Sequence, residues 1–573
     1  MLKQRVSLPI AAAFAALLAW VFAGGVARAA VGLPACKTGP GASRPADIYV
    51  PMDSWMYPAL DRLHGLGYAD MAFLGLRPWT RRSMQRMVAE ALQDPNLQDD
   101  AQALEIVAAV QRELGDEADD DASDYQYACE GLYSRMQGIA GLTLRDSFHL
   151  GQTIANDYGR PYQPGFNTVD GASGSAEYGR FSLYARGEYQ HAPGAAGYSA
   201  ALVSTLATID GVPLATNPVQ ATIPAGPIAS TDVLRIVEAN LSYRILNHEI
   251  SIGKSDHWLA PTVGGAFMYS NNAENIYAFQ IDRTEPLYIP LLSRLTGAFR
   301  YDFFVGSLKG HTDPNDPWMH VEKINFKPTA NVELGFERTV IWGGEGHEPI
   351  TIKSFLRSFF SVANVTTMQK QSRTDPGARF ASFDFNWRLP WLHHWVTLYS
   401  DSMIHDDVSP VDAPRHAGVR PGIYLSHVPG IARLDFRIEG VNTDPETSRS
   451  AGGGYLYTET IQRHGYTNKG FIMGDAIGRE AQGGQVWLTY HLSARELVQV
   501  SFRHAKVADD FVPLGTTQNS FDIRAVKWIR DQVELSAEVQ HEWWKAPVYE
   551  PGEQNDTVAT FQVTLHPEHG AAQ

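Results

Sequence analysis

Ala381-Ser382-Phe383-Asp384-Phe385-Asn386-Trp387-Arg388 sets Ala, Phe, Phe and Trp against Ser, Asp, Asn and Arg with a strict period of two. Only an extended strand separates such residues onto two faces, one apolar and one polar or charged. The pattern recurs in both directions along the chain. Phe181, Leu183, Ala185 and Tyr189 alternate with Arg180, Ser182, Arg186 and Glu188; Leu434, Phe436 and Ile438 with Arg433, Asp435, Arg437 and Glu439. Val533, Leu535, Ala537 and Val539 alternate with Gln532, Glu534, Ser536, Glu538 and Gln540. Similar alternation marks 234–245, 248–254, 295–304, 331–340, 392–400, 485–492, 497–503, 520–527 and 557–566.

Some strand pairs are joined by only a few residues, as at Asn247-His248 and Ala494-Arg495-Glu496. Other connections, 158–175, 205–230, 342–378 and 442–482, are long and rich in Gly, Pro, Ser and Asn. Short turns at one end and long loops at the other are the pattern of an outer-membrane β-barrel. About 430 residues at roughly 25 per strand and loop give 16 to 18 strands. A secreted sandwich or propeller is the competing architecture. The barrel is favoured by the aromatics on the apolar face (Trp387, Trp391, Trp395, Trp487, Trp528, Trp543 and Trp544), which suit interfacial girdles, and by the lack of a propeller repeat. The tail His566-Pro567-Glu568 departs from the terminal aromatic common in barrels.

Upstream of the strands the period is helical. Asp53 and Ser54 are placed to cap a helix carrying Trp55, Leu60 and Leu63 and ending at Gly65 or Gly67, and Thr80 to cap one carrying Met84, Met87, Val88 and Leu92. Ala103–Leu114 and Tyr125–Met136 are read as two further helices. Lys3 and Arg5, the apolar run Leu8–Ala23 and Ala27-Arg28-Ala29 form a signal peptide with the mature chain starting at Ala30. The expected division is a signal peptide at 1–29, an N-terminal α-helical domain at 30–140 lying in the periplasm, and a barrel at 141–573. Export makes Cys36 and Cys129, the two cysteines, a candidate disulfide. Leu33-Pro34-Ala35-Cys36 read as a lipoprotein box is the alternative.

The whole chain has 573 residues, 44% hydrophobic and 19% charged, so it has the means to fold; its net charge of −16 has the wrong sign for a protein whose main partner is nucleic acid. No uninterrupted apolar stretch after the leader is long enough for a transmembrane helix.

No catalytic spacing emerges, and a non-enzymatic protein without cofactor or metal is expected. Ser255-Asp256-His257 are consecutive and cannot form a relay on a strand. His393-His394 and His405-Asp406-Asp407 lack accompanying metal ligands and read as solvated turns. Gly343-Gly344-Glu345-Gly346 lacks the lysine of a phosphate loop. Carbohydrate chemistry fits better, because sugars are bound by aromatic platforms together with amides, carboxylates and Arg. Trp258, Tyr269, Asn271, Asn272, Asn275 and Tyr277 form one such stretch, and Trp342, Glu345 and His347 another. The alternative is that the rings pack a plug and the asparagines serve turns.

Gly253 through Trp258, Gly264-Gly265 and Ser270-Asn271-Asn272-Ala273 to Pro286 resembles the corresponding segment of the Wzi-type capsule-assembly outer-membrane proteins. So do Gly335-Phe336-Glu337-Arg338-Thr339 with Trp342-Gly343-Gly344, and Gly470, Gly474 and Gly478. Asp53-Ser54-Trp55 and Leu76-Arg77-Pro78-Trp79-Thr80-Arg81 resemble the helical region before the barrel. The resemblance implies an 18-stranded barrel closed by inner segments, a helical bundle at its periplasmic end, and a lectin that holds capsular polysaccharide at the cell surface. The partners implied are exported polysaccharide, outer-membrane lipid, and the barrel-insertion and polysaccharide-export machinery. A channel for oligosaccharides or small solutes stays open as the alternative.

Overall fold

The computed structural model describes residues 45–115, 125–212, 220–362, 365–392, 395–405, 416–445 and 456–567. The expected signal peptide, Cys36, His393-His394 and Asp406-Asp407 lie outside the described residues.

Eighteen strands form the wall. They are β1 (Tyr125–Gly141), β2 (Gly165–Tyr178), β3 (Phe181–Ala192), β4 (Thr231–Ile245), β5 (His248–Lys254) and β6 (Ala278–Arg283). Next come β7 (Ala298–Ser307), β8 (Trp318–Thr329), β9 (Val332–Trp342), β10 (Ala378–Arg388), β11 (Val396–His405) and β12 (Gly418–Leu425). The last six are β13 (Leu434–Asn442), β14 (Ala481–His491), β15 (Leu497–Val507), β16 (Thr516–Ile529), β17 (Val533–Ala546) and β18 (Glu550–Leu565). Each pairs antiparallel with its neighbours in the chain, and β18 closes on β1 from Leu132↔Leu565 to Gly141↔Asp556. The barrel has no free edge.

The faces are inverted relative to a protein dissolved in water. On β10, Phe383 is 46% exposed while the neighbouring Asp384 is 5% exposed. On β3, Phe181 and Leu183 are exposed while Ser182, Arg186 and Glu188 are buried. Rings outside and charges inside are stable only if the exterior is hydrocarbon and the interior supplies partners. The interior does: Lys323 meets Asp384 and, at 3.6 Å, Glu337, and Arg186 meets Asp53 at 2.7 Å. The expected Trp girdle is only partly realised. Trp387 and Trp391 are exposed, but Trp487, Trp528 and Trp544 are buried. Trp543 and Trp544 are consecutive, so one of them must turn inward; the Trp544 indole donates to the Leu142 carbonyl at 3.0 Å.

Turns such as Leu246-Asn247, both with positive φ, sit at one end. That end is capped by helices α1 (Met56–Gly65), α2 (Arg81–Ala91) and α3 (Ala101–Leu114), packed through Leu60, Leu63, Met84, Val88, Val107 and Val110. Thr80 caps α2 by accepting from the Ser83 amide at 3.1 Å. α1 starts later than expected, at Met56, and its N-cap Trp55 makes no side-chain cap bond; Ser54 Oγ accepts from the Met56 amide at 3.3 Å, while Asp53 is drawn to Arg186. Arg62 donates to the carbonyls of Ser426 and Ala432, and Lys327 to those of Asp70 and Ala72, fastening the helices to the short-turn rim.

The reading of Tyr125–Met136 as a helix is overturned, for this is the first barrel strand. Leu132 and Met136, four residues apart, share a face in either conformation, so their spacing does not discriminate. Ladders to β2 and β18 on both sides decide it. The wall therefore begins at 125, within the segment assigned to the helical domain. Cys129, which is disulfide-bonded, lies on β1 beside a bulge. Much of 158–175, read as a loop, is β2. Its glycines answer to packing: a Cβ on Gly171 would lie 2.1 Å from Tyr133 Cζ.

Candidate functional site

The connection from β5 to β6 turns into the barrel. Trp258 exchanges backbone hydrogen bonds with Arg77 (3.1 and 3.2 Å), and its indole donates to the Thr262 carbonyl at 2.7 Å. Tyr269 stands edge-on to Phe304 with ring centroids 5.3 Å apart. The Asn271 and Asn272 carbonyls accept from the amides of Tyr158 and Gly159. The Asn272 side chain donates to the Ile472 carbonyl at 3.0 Å and accepts from the Asn156 amide at 3.0 Å. Ser270 donates to Gly474 at 2.7 Å. The structure thus brings Trp258, Tyr269, Asn271 and Asn272 together as the centre of an inner plug. The two rings are buried and Asn271 is half-buried.

Ser255, Asp256 and His257 point to separate partners, as neighbours on extended chain must. Ser255 accepts from Asn240, and Asp256 accepts from the Met52 amide, Tyr158 and Asn275. Burial pushes the His257 imidazole down to about 3, so it is neutral between Phe304 and Tyr269.

Trp342 ends β9, and Glu345 and His347 belong to the connection from β9 to β10. Trp342 is buried against Trp318, His320 and Phe355. Glu345 is exposed, its amide donating to the Asn315 carbonyl at 2.8 Å. His347 contacts Asp375 at 2.9 Å, a hydrogen bond that raises the imidazole above its ordinary range.

A different set of residues lines an opening at the long-loop end. A cavity of ≈ 180 Å³ lies among three connections, β1 to β2, β3 to β4 and β13 to β14. Arg145, Gln152, Asp157, Arg160, Tyr162 and Gln163 come from the first, Thr222 from the second and Phe471 from the third. Asp157 accepts from Tyr162 at 2.7 Å and from Arg135 at 2.9 Å. Arg160 lies 5.1 Å over the Tyr158 ring and pairs with Glu188, with Nε 2.9 Å from Oε2. These pairs fix the floor. Three polar atoms there have no protein partner: Arg145 Nη1, Gln152 Oε1 and Gln163 Oε1. A guanidinium donor, two amide acceptors and the Tyr162 and Phe471 rings make up a lining that can receive hydroxyls and an apolar ring face.

Sequence reasoning did not find this cavity. The stretch Gln152…Asp157-Tyr158-Gly159-Arg160-Pro161-Tyr162-Gln163 has the composition of a sugar site, but its opposing walls are remote in the chain. Among the described residues no group of three or more His, Cys, Asp or Glu is placed to hold a metal.

A closed 18-stranded antiparallel barrel with a plugged lumen and helices over one rim places the chain among the outer-membrane β-barrels. A family model described as capsule assembly protein Wzi matches residues 135–559, and the chain belongs to that family. A Klebsiella pneumoniae protein named "uncharacterized 55.8 kDa protein in cps region" is 25% identical over 164 residues, which are 28% of this chain and 31% of that protein. The match thus spans about a third of that relative's length. The structure of Escherichia coli Wzi, titled as an outer-membrane, carbohydrate-binding β-barrel involved in group 1 capsule assembly, aligns at 15% identity and a TM-score of 0.65. It covers 90% of this chain and 99% of that one, and the fold is shared.

Proposed function

We propose that this protein is a lectin-like, non-enzymatic barrel that holds exported capsular polysaccharide at the cell surface, with the long-loop cavity as a saccharide subsite. The observation that carries this is the trio of unpartnered polar atoms, Arg145 Nη1, Gln152 Oε1 and Gln163 Oε1, beside two rings. Donors and acceptors left unpaired by the chain beside a cavity are positions at which hydroxyls from outside can bond. In this reading the short-turn end and α1 to α3 face the periplasm. The insertion and polysaccharide-export machineries are the protein partners. A glycan-binding screen on the folded, detergent-solubilised protein tests the reading: a hit lost in Arg145→Ala and Gln163→Ala supports it, and binding that ignores both substitutions counts against it.

One observation favours a second reading, a channel for small solutes. The inward-facing side chains Asp522, Glu534 and Glu538 on β16 and β17 are only half-buried, so a charged strip of lumen stays open beside the plug. Stable currents in a planar bilayer would support the channel, and their absence the lectin.

A further inference from the structure

The connection from β9 to β10 leaves the rim and lies against the outside of the barrel. Its helix α6 (Ile352–Phe359) follows α4 (Ala200–Asp210) and α5 (Ser293–Thr296) in the chain. Thr351 and Ser354 close a capping box at its start. The wall it covers is unusual for a lipid-facing surface. Phe303, Glu322 and Arg338 form one outward row across β7, β8 and β9, and His320 and Val340 lie in the outward row above.

A guanidinium facing hydrocarbon is costly, and α6 supplies what Arg338 lacks. Arg338 Nη1 donates to the Phe359 carbonyl at 2.8 Å, and Nη2 to the carbonyls of Ser358 and Ser361 at 2.9 and 2.8 Å. The cation thereby caps the negative end of the helix dipole. Ser358 meets His320 Nε2 at 2.8 Å, while Phe355 and Phe359 pack on Phe303 and His320. Arg338 and His320 are thus bonded by α6 and the turn that follows it, while Glu322 is held within the wall by His320 and, at 3.6 Å, by Arg338.

The outer face is left over. Ile352, Leu356 and Phe360 recur every four residues and are 80%, 46% and 69% exposed; Val362 beyond them is 79% exposed. Lys353, also exposed, flanks this stripe. The wall resumes its lipid-facing character one row below α6, with Ile324 and Phe383 exposed and paired across Phe336. The apolar stripe is continuous with the surface that the membrane covers.

The geometry points to α6 as an interfacial helix whose Ile352, Leu356 and Phe360 stripe is buried among the acyl chains of the outer leaflet, with Lys353 at headgroup level. Such a helix lies in the plane of the interface rather than across it. Here it is also bolted to the wall through Arg338, which fixes its depth. The occupant of the face is lipid, because the stripe joins the barrel's lipid belt.

The test uses the full chain in phosphatidylcholine nanodiscs, one protein per disc. A fluorophore is attached at Leu356→Cys, Phe360→Cys or Lys353→Cys; Cys129 is disulfide-bonded and does not compete for the label. Folding is checked by heat-dependent gel migration. Quenching by nitroxide-labelled phosphatidylcholine, relative to quenching by aqueous iodide, should be about threefold or more higher at 356 and 360 than at 353. Equal iodide quenching at all three positions would overturn the assignment. Shielding of 356 and 360 from both quenchers would also overturn it, by showing that protein covers the stripe.

Discussion

Arg420 on β12 grips Asp475 with two parallel hydrogen bonds, Nε to Oδ2 at 2.6 Å and Nη2 to Oδ1 at 2.8 Å, both side chains being almost wholly buried. One end of this fork is barrel wall and the other is the connection from β13 to β14, so the pair pins an inner segment to the strand it crosses. Glu439 takes the remaining guanidinium nitrogen at 3.1 Å. Asp475→Asn would leave a buried cation short of a counter-charge, at a cost of about 3 kcal/mol. The variant should lose its heat-resistant gel mobility at a lower temperature than the parent. An unchanged transition would mean that the pair contributes little to holding the plug.

His149 gives the long-loop end a pH dependence. Burial opposes its charge, but Asp146 and Asp210 on either side outweigh burial and push it up to about 9. Its folded value lies above the ordinary value of about 6.5, so the stabilisation is fully present below that pH and is lost as pH rises through about 9. The tie is between the β1-to-β2 connection and α4. Protease susceptibility of this end should therefore rise between about pH 8 and pH 10. His149→Gln should be susceptible throughout, with a flat profile; a parent profile equally flat would refute the assignment.

The mouth cavity and the plug make opposite predictions for polysaccharide retention. Gln163→Ala removes an acceptor that has no protein partner, so the fold should be indifferent while glycan affinity falls by about fivefold, the worth of one hydrogen bond. Trp258→Ala empties a buried site and should cost about 3–5 kcal/mol of stability. Retention normalised to folded protein should then fall for Gln163→Ala and hold for Trp258→Ala. The reverse pattern would move the sugar site into the plug.

Sidedness has its own check. With α1 to α3 fastened to the short-turn rim through Arg62, Lys327 and the Arg433–Glu105 pair at 2.9 Å, protease added to intact cells should spare residues 56–114. Cleavage there without permeabilisation would invert the topology.

The barrel was legible because its signal is local. The alternation around Phe383 to Arg388 needs only neighbouring residues, and it reports both faces of the strand at once. β1 was misread because Leu132 and Met136 satisfy both periods, and what selects the strand is pairing with β2 and with β18. Of the rings in the Trp258 to Tyr277 stretch, Trp258 and Tyr269 are covered by the plug, whereas Tyr277 stays exposed. The cavity was invisible for the opposite reason. Gln163 and Phe471 meet only after the wall has closed, and neither is marked by its neighbours in the chain. α6 was hidden inside a segment whose Gly and Pro content read as loop, although the spacing of Ile352, Leu356 and Phe360 was present in it.

Because the seam joins Leu132 to Leu565, the first strand of the wall has to wait for the last. Until β18 arrives, β1 presents a full row of amide and carbonyl groups with nothing to bond, next to a lipid phase that cannot bond them either. The entropy of bringing those two ends together is met only when every intervening hairpin is in place. Closure is thus what satisfies both margins at once, and a chain cut short before Glu550 is left with two sticky margins instead of a ring.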